Sequence, residues 1–398
     1  MSKEKNNKLT NKRAHILFQS RLDLFDRPGG DTVQMVETKN ALEKLGVDVE
    51  IKNTLSENLE GIDIVHVFNL DWVSEPYWQV ENALKQKVPV VLSPIHHSLD
   101  EYKLYEKKNR YGLAKIGNFI IPYQPLRDSA RNILKGLTYT KKLRPAIKQV
   151  FMGIRNQQRY CVNNSDIILV QTVREAEDLK EEYKTNDFKW KKVINGVNVK
   201  KFTNTNSKGA KKYLPKNPYI LCVGRVEPRK NQLMLIQALK QLREYNPNFR
   251  NMELFFAGSF NNHHPTYLNK FKQEVKKNSF IHYPGFLDQD ILANIFSKAT
   301  IFAVPSWFET TGLVYLEAIV AGCTNIVASG ERAQEYLGKN AVYCDPTNIN
   351  SIENALKEAF KPTVSKGFRK EIIDRYNWEN TAKQTFSVYK DLLNGKIA

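Results

Sequence analysis

Between Ile301 and Gly322 the chain spells a strand, a loop and a helix in that order, and this unit limits the possible folds more than any other stretch. Ile301-Phe-Ala-Val304 is a short apolar run closed by Pro305, which removes a backbone donor and fixes φ. From Val314 to Val320 the apolar positions follow helical spacing. The same alternation recurs along the chain. Strands are expected at 14–18, 47–51, 62–68, 88–92, 167–171 and 219–223, with helices over 32–45 and from Gln232 onward. Strand–helix alternation predicts parallel sheets covered by helices. With 398 residues the chain is too long for one average core and suits two such domains.

The loop within that unit carries chemistry. Glu309 and Glu317 stand eight positions apart, with Thr310, Gly312 and Leu313 between them. Eight residues make a little over two turns, roughly 12 Å of rise if all were helical, so the loop carboxylate and the helix carboxylate can touch different parts of an extended ligand. Gly312 and Leu313 offer backbone N–H groups at a helix N-terminus, where anions are favoured. The pattern fits a ligand with phosphates in the middle and hydroxyls at both ends, the shape of a nucleotide sugar. Upstream, the strand at 219–223 runs into Gly224-Arg225 and Lys230. A forked guanidinium beside a point-charge ammonium suits a diphosphate, and ligands of open α/β sheets sit at the strands' carboxyl ends.

Taken together, Gly224-Arg225 with Lys230, Phe256-Ala-Gly258, Pro284-Gly285-Phe286, Glu309 with Glu317, Ala321-Gly322, Asp345-Pro346 and the Trp378 segment resemble glycosyltransferase family 4, the retaining transferases of GT-B fold. The likeness covers nearly the whole C-terminal half. Over the N-terminal half it is thinner, resting on Pro28-Gly29-Gly30, Ser93-Pro94-Ile95-His96-His97, Ser165-Asp166 and Asn195-Gly196-Val197. The resemblance implies an α/β chain of two Rossmann-like domains facing each other across a cleft. Residues 1–208 would form the acceptor-binding domain and 209–398 the nucleotide-sugar-binding domain. The final helix, 378–393, would cross back to the first. It implies transfer of a hexose from a nucleoside-diphosphate sugar to a glycan or lipid-linked acceptor, in bacterial surface polysaccharide or glycolipid synthesis. Glu309 would hold the sugar hydroxyls, and Glu317 the ribose. Tyr283, Pro284, Gly285 and Phe286 would border the base, while Arg225, Lys230 and the amides of Gly30, Gly312 and Leu313 would take the diphosphate. His96 is the candidate catalytic histidine, with His97 beside it. Because fixed cations meet the diphosphate, no metal is expected.

The net charge of +18 is uneven. From Lys103 to Arg159 fourteen Lys and Arg face only Glu106 and Asp128, interleaved with aromatic and aliphatic residues up to Val150, Phe151 and Met152. A basic amphipathic insertion of this kind suits an anionic membrane surface. Nucleic acid attracts the same charge but leaves the Glu309 and Glu317 pattern without purpose, so none is expected. The start is polar, without the apolar core of a signal peptide, and no run is long enough to span a bilayer. Four cysteines lack metal or redox spacing and read as buried thiols of a reducing compartment. The expected place is cytoplasmic, peripheral at the inner face of the cell membrane.

Two patterns argue for less. Asp288-Gln289-Asp290 has the form of a metal-holding Asp-x-Asp but stands where a helix opens, and His263-His264 lacks acidic or Cys neighbours. A nucleotide-sugar epimerase shares the GT-B fold, but no second acid–base set marks one here. A glycan phosphorylase would need a Schiff-base lysine that nothing marks.

Overall fold

A computed structural model describes residues 13–108, 143–185, 187–205 and 208–395. Most of the basic insertion therefore lies outside the described residues. What is described divides into two compact units. The first takes residues 13–97, 143–196 and 378–395, and the second takes 98–108 and 197–377. The main passage between them is at Gly196–Val197, not at the expected 208. The polar stretch around residue 205 belongs to the second unit, where the Asn294 amide bonds the Thr205 carbonyl.

In the first unit the strands are β1 (His15–Gln19), β2 (Asp48–Ile51), β3 (Ile64–Phe68), β4 (Val90–Ser93), β5 (Ile167–Val170) and β6 (Trp190–Lys192). They form one parallel sheet in the order β2-β1-β3-β4-β5-β6. β3, β4 and β5 are buried along their whole length, as expected of central parallel strands covered on both faces. β6 is a polar edge strand, which periodicity over three residues could not reveal.

The helix Trp378–Leu393 completes this unit. Its Tyr389 hydroxyl lies 2.5 Å from Nδ1 of His66 in β3, and Thr381 donates to the Ile194 carbonyl at 2.8 Å. Nε2 of His66 is 2.8 Å from the Ser93 hydroxyl. Burial pushes this histidine down to about 3, so it is neutral in the folded protein. Between pH 6.5 and about 3 the unfolded chain holds a proton there that the folded chain does not. Acidification through that window therefore costs up to about 1.4 kcal/mol per pH unit. Urea midpoints of His66→Gln should fall less steeply with acid than those of the wild type. Identical slopes would assign the acid limb to other groups.

The second unit repeats the plan. Its strands are β7 (Tyr219–Val223), β8 (Glu253–Ala257), β9 (Ile281–His282), β10 (Ile301–Ala303), β11 (Ile326–Ala328) and β12 (Val342–Tyr343). They are parallel in the order β12-β11-β10-β7-β8-β9. β7 and β10 are adjacent at the middle of the sheet, so the loops leaving their carboxyl ends, 224–231 and 304–312, come together. That adjacency builds the site. Cys161, Cys222, Cys323 and Cys344 are buried and free. No helix among the described residues is long and apolar enough to cross a membrane.

Candidate active site

Gly224 ends β7 with φ +146 and Gly258 ends β8 with φ +141. A Cβ on Gly258 would lie 2.1 Å from the Gly224 carbonyl oxygen, so the two backbones touch where only glycine fits. This contact, with the Gly224 N–H donating to Ala257 at 2.9 Å, aims the following loop. Pro228–Lys230 makes a short 3-10 turn, and Asn231 (φ +59) opens the helix Gln232–Tyr245.

The turn delivers Lys230 to Glu309. The ammonium is ion-paired with Oε1 of that carboxylate, and Nη1 of Arg229 lies 3.3 Å from Oε2. Arg229 also reaches Glu227 at 3.0 Å and donates to the Phe308 carbonyl at 3.1 Å. Asn261 donates to the second oxygen of Glu227 at 2.6 Å. Burial alone would raise the Glu309 carboxyl, but Lys230 and then Arg229 override it and hold it at about 2. Glu227 follows the same logic, with burial opposed first by Arg229, and also sits at about 2. Both carboxylates are ionised at neutral pH.

Gly312 (φ +61) starts the helix Leu313–Ala321, and Gly322 (φ +100) ends it. The Tyr315 hydroxyl donates to Val304 at 2.8 Å, and Tyr336 bonds the Thr311 carbonyl, which ties both sides of the loop. Glu317 stands within this helix. Burial pushes it up to about 7, with Lys230 pulling the other way. Of the expected diphosphate cations, Lys230 is buried and already committed to Glu309, whereas Arg225 is exposed. Sequence reasoning missed Arg229. It stands next to Lys230, and only the pairing of β7 with β10 shows that it faces Glu309.

The base-bordering segment lies beyond β9. The Tyr283 hydroxyl donates to Gly258 at 2.7 Å, Gly258 N–H donates to Gly285 at 2.9 Å, and Phe286 is 72% exposed. Pro284 is half-buried between them. Asp288 precedes the helix Gln289–Lys298 and Asp290 falls in its first turn.

In the first unit the loop after β4 carries the histidines. Ile95 takes φ +46, a conformation that costs a β-branched residue about 1–3 kcal/mol. Bonds on the far side hold it there. The His96 N–H donates to Glu175 at 2.8 Å, its Nδ1 is 2.6 Å from Asp71, and its Nε2 is 2.7 Å from Glu182. Burial would lower His96, but Asp71 and Glu182 raise it to about 10. Asp71, which burial would raise, is held well below the usual carboxylate range by His96 and His97. His96 is thus an enclosed imidazolium between two carboxylates, with its side chain 1% exposed. His97 shares Asp71 at 2.5 Å and is 25% exposed, so it is the histidine that can be reached. Gly30 is the first residue of the helix Gly30–Lys44. Arg21, also missed, anchors that helix start through Asp31 at 2.8 Å and the Arg27 carbonyl at 2.6 Å.

Two six-stranded parallel sheets, each covered by helices, are the architecture of the GT-B fold, and the paired basic and acidic groups stand at the carboxyl ends of the second sheet. Residues 204–385 match the family model described as Glycosyl transferases group 1. Among curated relatives, a D-inositol 3-phosphate glycosyltransferase of Corynebacterium urealyticum is 25% identical over 92% of this chain and 91% of its own. O-antigen chain mannosyltransferase B of Escherichia coli is 25% identical over 43% of this chain and 45% of its own. Among solved structures, sucrose-phosphate synthase from Thermosynechococcus elongatus superposes with TM-score 0.70 at 16% identity, covering 96% of this chain and all of that one. Anabaena HepE in complex with UDP-glucose gives 0.67 at 13% identity, covering 95% of this chain and 99% of its own. These structural likenesses are of fold.

Proposed function

We propose that the chain transfers a hexose, with retention of configuration, from a nucleoside-diphosphate sugar to a hydroxyl of a glycan or lipid-linked acceptor in surface polysaccharide or glycolipid synthesis. The observation that carries this reading is the ionised Glu309 paired with buried Lys230 and Arg229, with Glu317 further along the adjoining helix. As the anomeric bond breaks, negative charge grows on the departing diphosphate. Lys230 has donors left beyond its bond to Glu309, and Arg225 and the Gly312 and Leu313 amides offer more positive charge. Fixed charges of this kind stabilise the transition state more than the ground state. Glu309 accepts from the sugar hydroxyls and Glu317 from the ribose. The first unit is assigned the acceptor. A bound UDP-glucose in HepE supports the donor class, and an O-antigen mannosyltransferase among the relatives supports the pathway.

A thermal-shift screen of UDP, GDP, ADP and dTDP against the bare nucleosides tests it. One diphosphate should raise the melting temperature selectively. Equal shifts with nucleosides, or a larger shift with oligonucleotide that is lost steeply with salt, would refute the reading. Transfer should persist in excess chelator, because the charge on the leaving group is met by side chains. Activity abolished there and restored by Mg²⁺ or Mn²⁺ would sink that claim.

The proposal includes peripheral attachment to anionic membrane. On the helix Leu143–Met152 the residues Arg144, Ile147, Lys148 and Phe151 share one face and are all exposed, Phe151 by 86%. From Leu143 to Asn163 the chain has no acidic residue. Reversing Arg144, Lys148, Arg155 and Arg159 to Glu should strip the protein from phosphatidylserine vesicles in co-sedimentation while nucleotide affinity holds. Unchanged sedimentation would end the membrane assignment.

A further inference from the structure

The helix Leu99–Lys108 has no fully buried residue, and it is placed with the second unit although it follows β4 directly in sequence. Its aromatic residues explain the placement. The Tyr105 ring lies 5.4 Å from that of Phe308 at 87° and 5.9 Å from that of Trp307 at 66°. Tyr102 meets Phe308 at 6.2 Å and 62°. These are edge-to-face contacts, a geometry favoured by the ring quadrupoles. The Arg229 guanidinium also lies by the Phe308 ring, 5.6 Å from its centre. Phe308 is therefore gripped by two tyrosines and an arginine, and the next residue is Glu309.

The backbone is held in the same place. The Trp307 N–H donates to the Arg229 carbonyl at 2.9 Å, and Nη1 of Arg229 donates to the Phe308 carbonyl at 3.1 Å. A carboxylate that must meet a changing sugar ring needs its backbone fixed, because a displacement of about 1 Å can cost about 100-fold in rate. Nothing in β7 or β10 supplies that restraint at 307–308, because β10 ends at Ala303.

We propose that Tyr102 and Tyr105 are positioning residues for the transfer reaction. Their rings clamp Trp307 and Phe308 and so fix the Glu309 carboxylate. The inference rests on the assignment of Glu309 to the donor sugar. The nucleotide diphosphate is assigned to Arg225, Lys230 and the Gly312 and Leu313 amides, not to the two tyrosines. Loss of the clamp therefore separates turnover from nucleotide affinity.

The full-length protein tests this with Tyr102→Ala/Tyr105→Ala and the matching double Phe variant. The probe is whichever of UDP-glucose, GDP-mannose and ADP-glucose the wild type hydrolyses fastest, with its nucleoside diphosphate for calorimetry. The Ala pair should lose about 10- to 100-fold in kcat while the diphosphate Kd moves less than about twofold. The Phe pair keeps the rings and should restore kcat to within about threefold of the wild type. A readout without substrate accompanies it: the Trp307 amide should exchange with deuterium faster in the Ala pair than in the wild type or the Phe pair. Unchanged kcat and exchange in the Ala pair would overturn the proposal. Parallel losses in kcat and diphosphate affinity would overturn it too, showing that the tyrosines only support folding. A wild type that turns over none of the three sugars, and binds none of their diphosphates, removes the transferase reading and this inference together.

Discussion

Glu309→Gln should lower kcat by about 100-fold or more and leave the affinity for the nucleoside diphosphate within about twofold. Glu309 is the one carboxylate held ionised by two cations at the end of β10. Its proposed partner is the sugar, whose ring reshapes as the bond breaks, so its contribution appears in the rate. Gln keeps an acceptor for Lys230 and Arg229 and fills the same space. Glu317→Gln should fail in the opposite sense, weakening both donor and product by about 1–3 kcal/mol with a smaller effect on kcat. The wild type adds a check. A carboxylate near 7 accepts from ribose hydroxyls best when ionised, so diphosphate affinity should rise as pH climbs through about 7. In Glu317→Gln that rise should flatten. Turnover with the sugar picked by the nucleotide screen, calorimetry for the diphosphate and circular dichroism for folding decide the matter. Full turnover in Glu309→Gln, or exchanged phenotypes, would show that the ligand does not lie along this motif as proposed.

Gly258→Ala should be the most destabilising single methyl in the second unit. The added Cβ would meet the Gly224 carbonyl oxygen at 2.1 Å and its carbon at 2.6 Å, both backbone atoms, at a residue with φ +141. Overpacking and left-handed strain together cost about 3–5 kcal/mol. Separating the ends of β7 and β8 would also move the turn that carries Arg229 and Lys230. Gly30→Ala is the control, since no atom lies within 4 Å of its Cβ and its φ is not positive. It should change stability by no more than about 0.5 kcal/mol. Urea unfolding of both variants gives the comparison, and a Gly258→Ala protein as stable as the wild type would mean that the two strand ends are free to part.

Strand–helix alternation was legible wherever an apolar run of four or more residues had clear ends. Tyr219–Val223 falls where periodicity placed it, and Trp378–Leu393 where the resemblance placed the final helix. Two-residue strands such as Ile281–His282 and Val342–Tyr343 exist only because a neighbour accepts them, so no local pattern announces them. At the site, spacing pointed to Glu309, Glu317 and Lys230. It could not show that Lys230 is bound to Glu309, or that Arg229 bridges Glu309 and Glu227, because both depend on which strands lie side by side. The difference between the two histidines was not legible for a related reason. His96 and His97 are equivalent in sequence, and only Glu175 and Glu182, far along the chain, decide which one is enclosed.

The Tyr389–His66 contact has a consequence for the order in which the protein is made. Residues up to 196 leave the ribosome first, yet their sheet lacks its covering helix until 378–393 has been translated. The second unit, complete by residue 377, has all of its strands before that moment. Synthesis therefore finishes the later half before the earlier one. For that interval the nascent chain carries β3 with Nδ1 of His66 awaiting Tyr389, which is still being built.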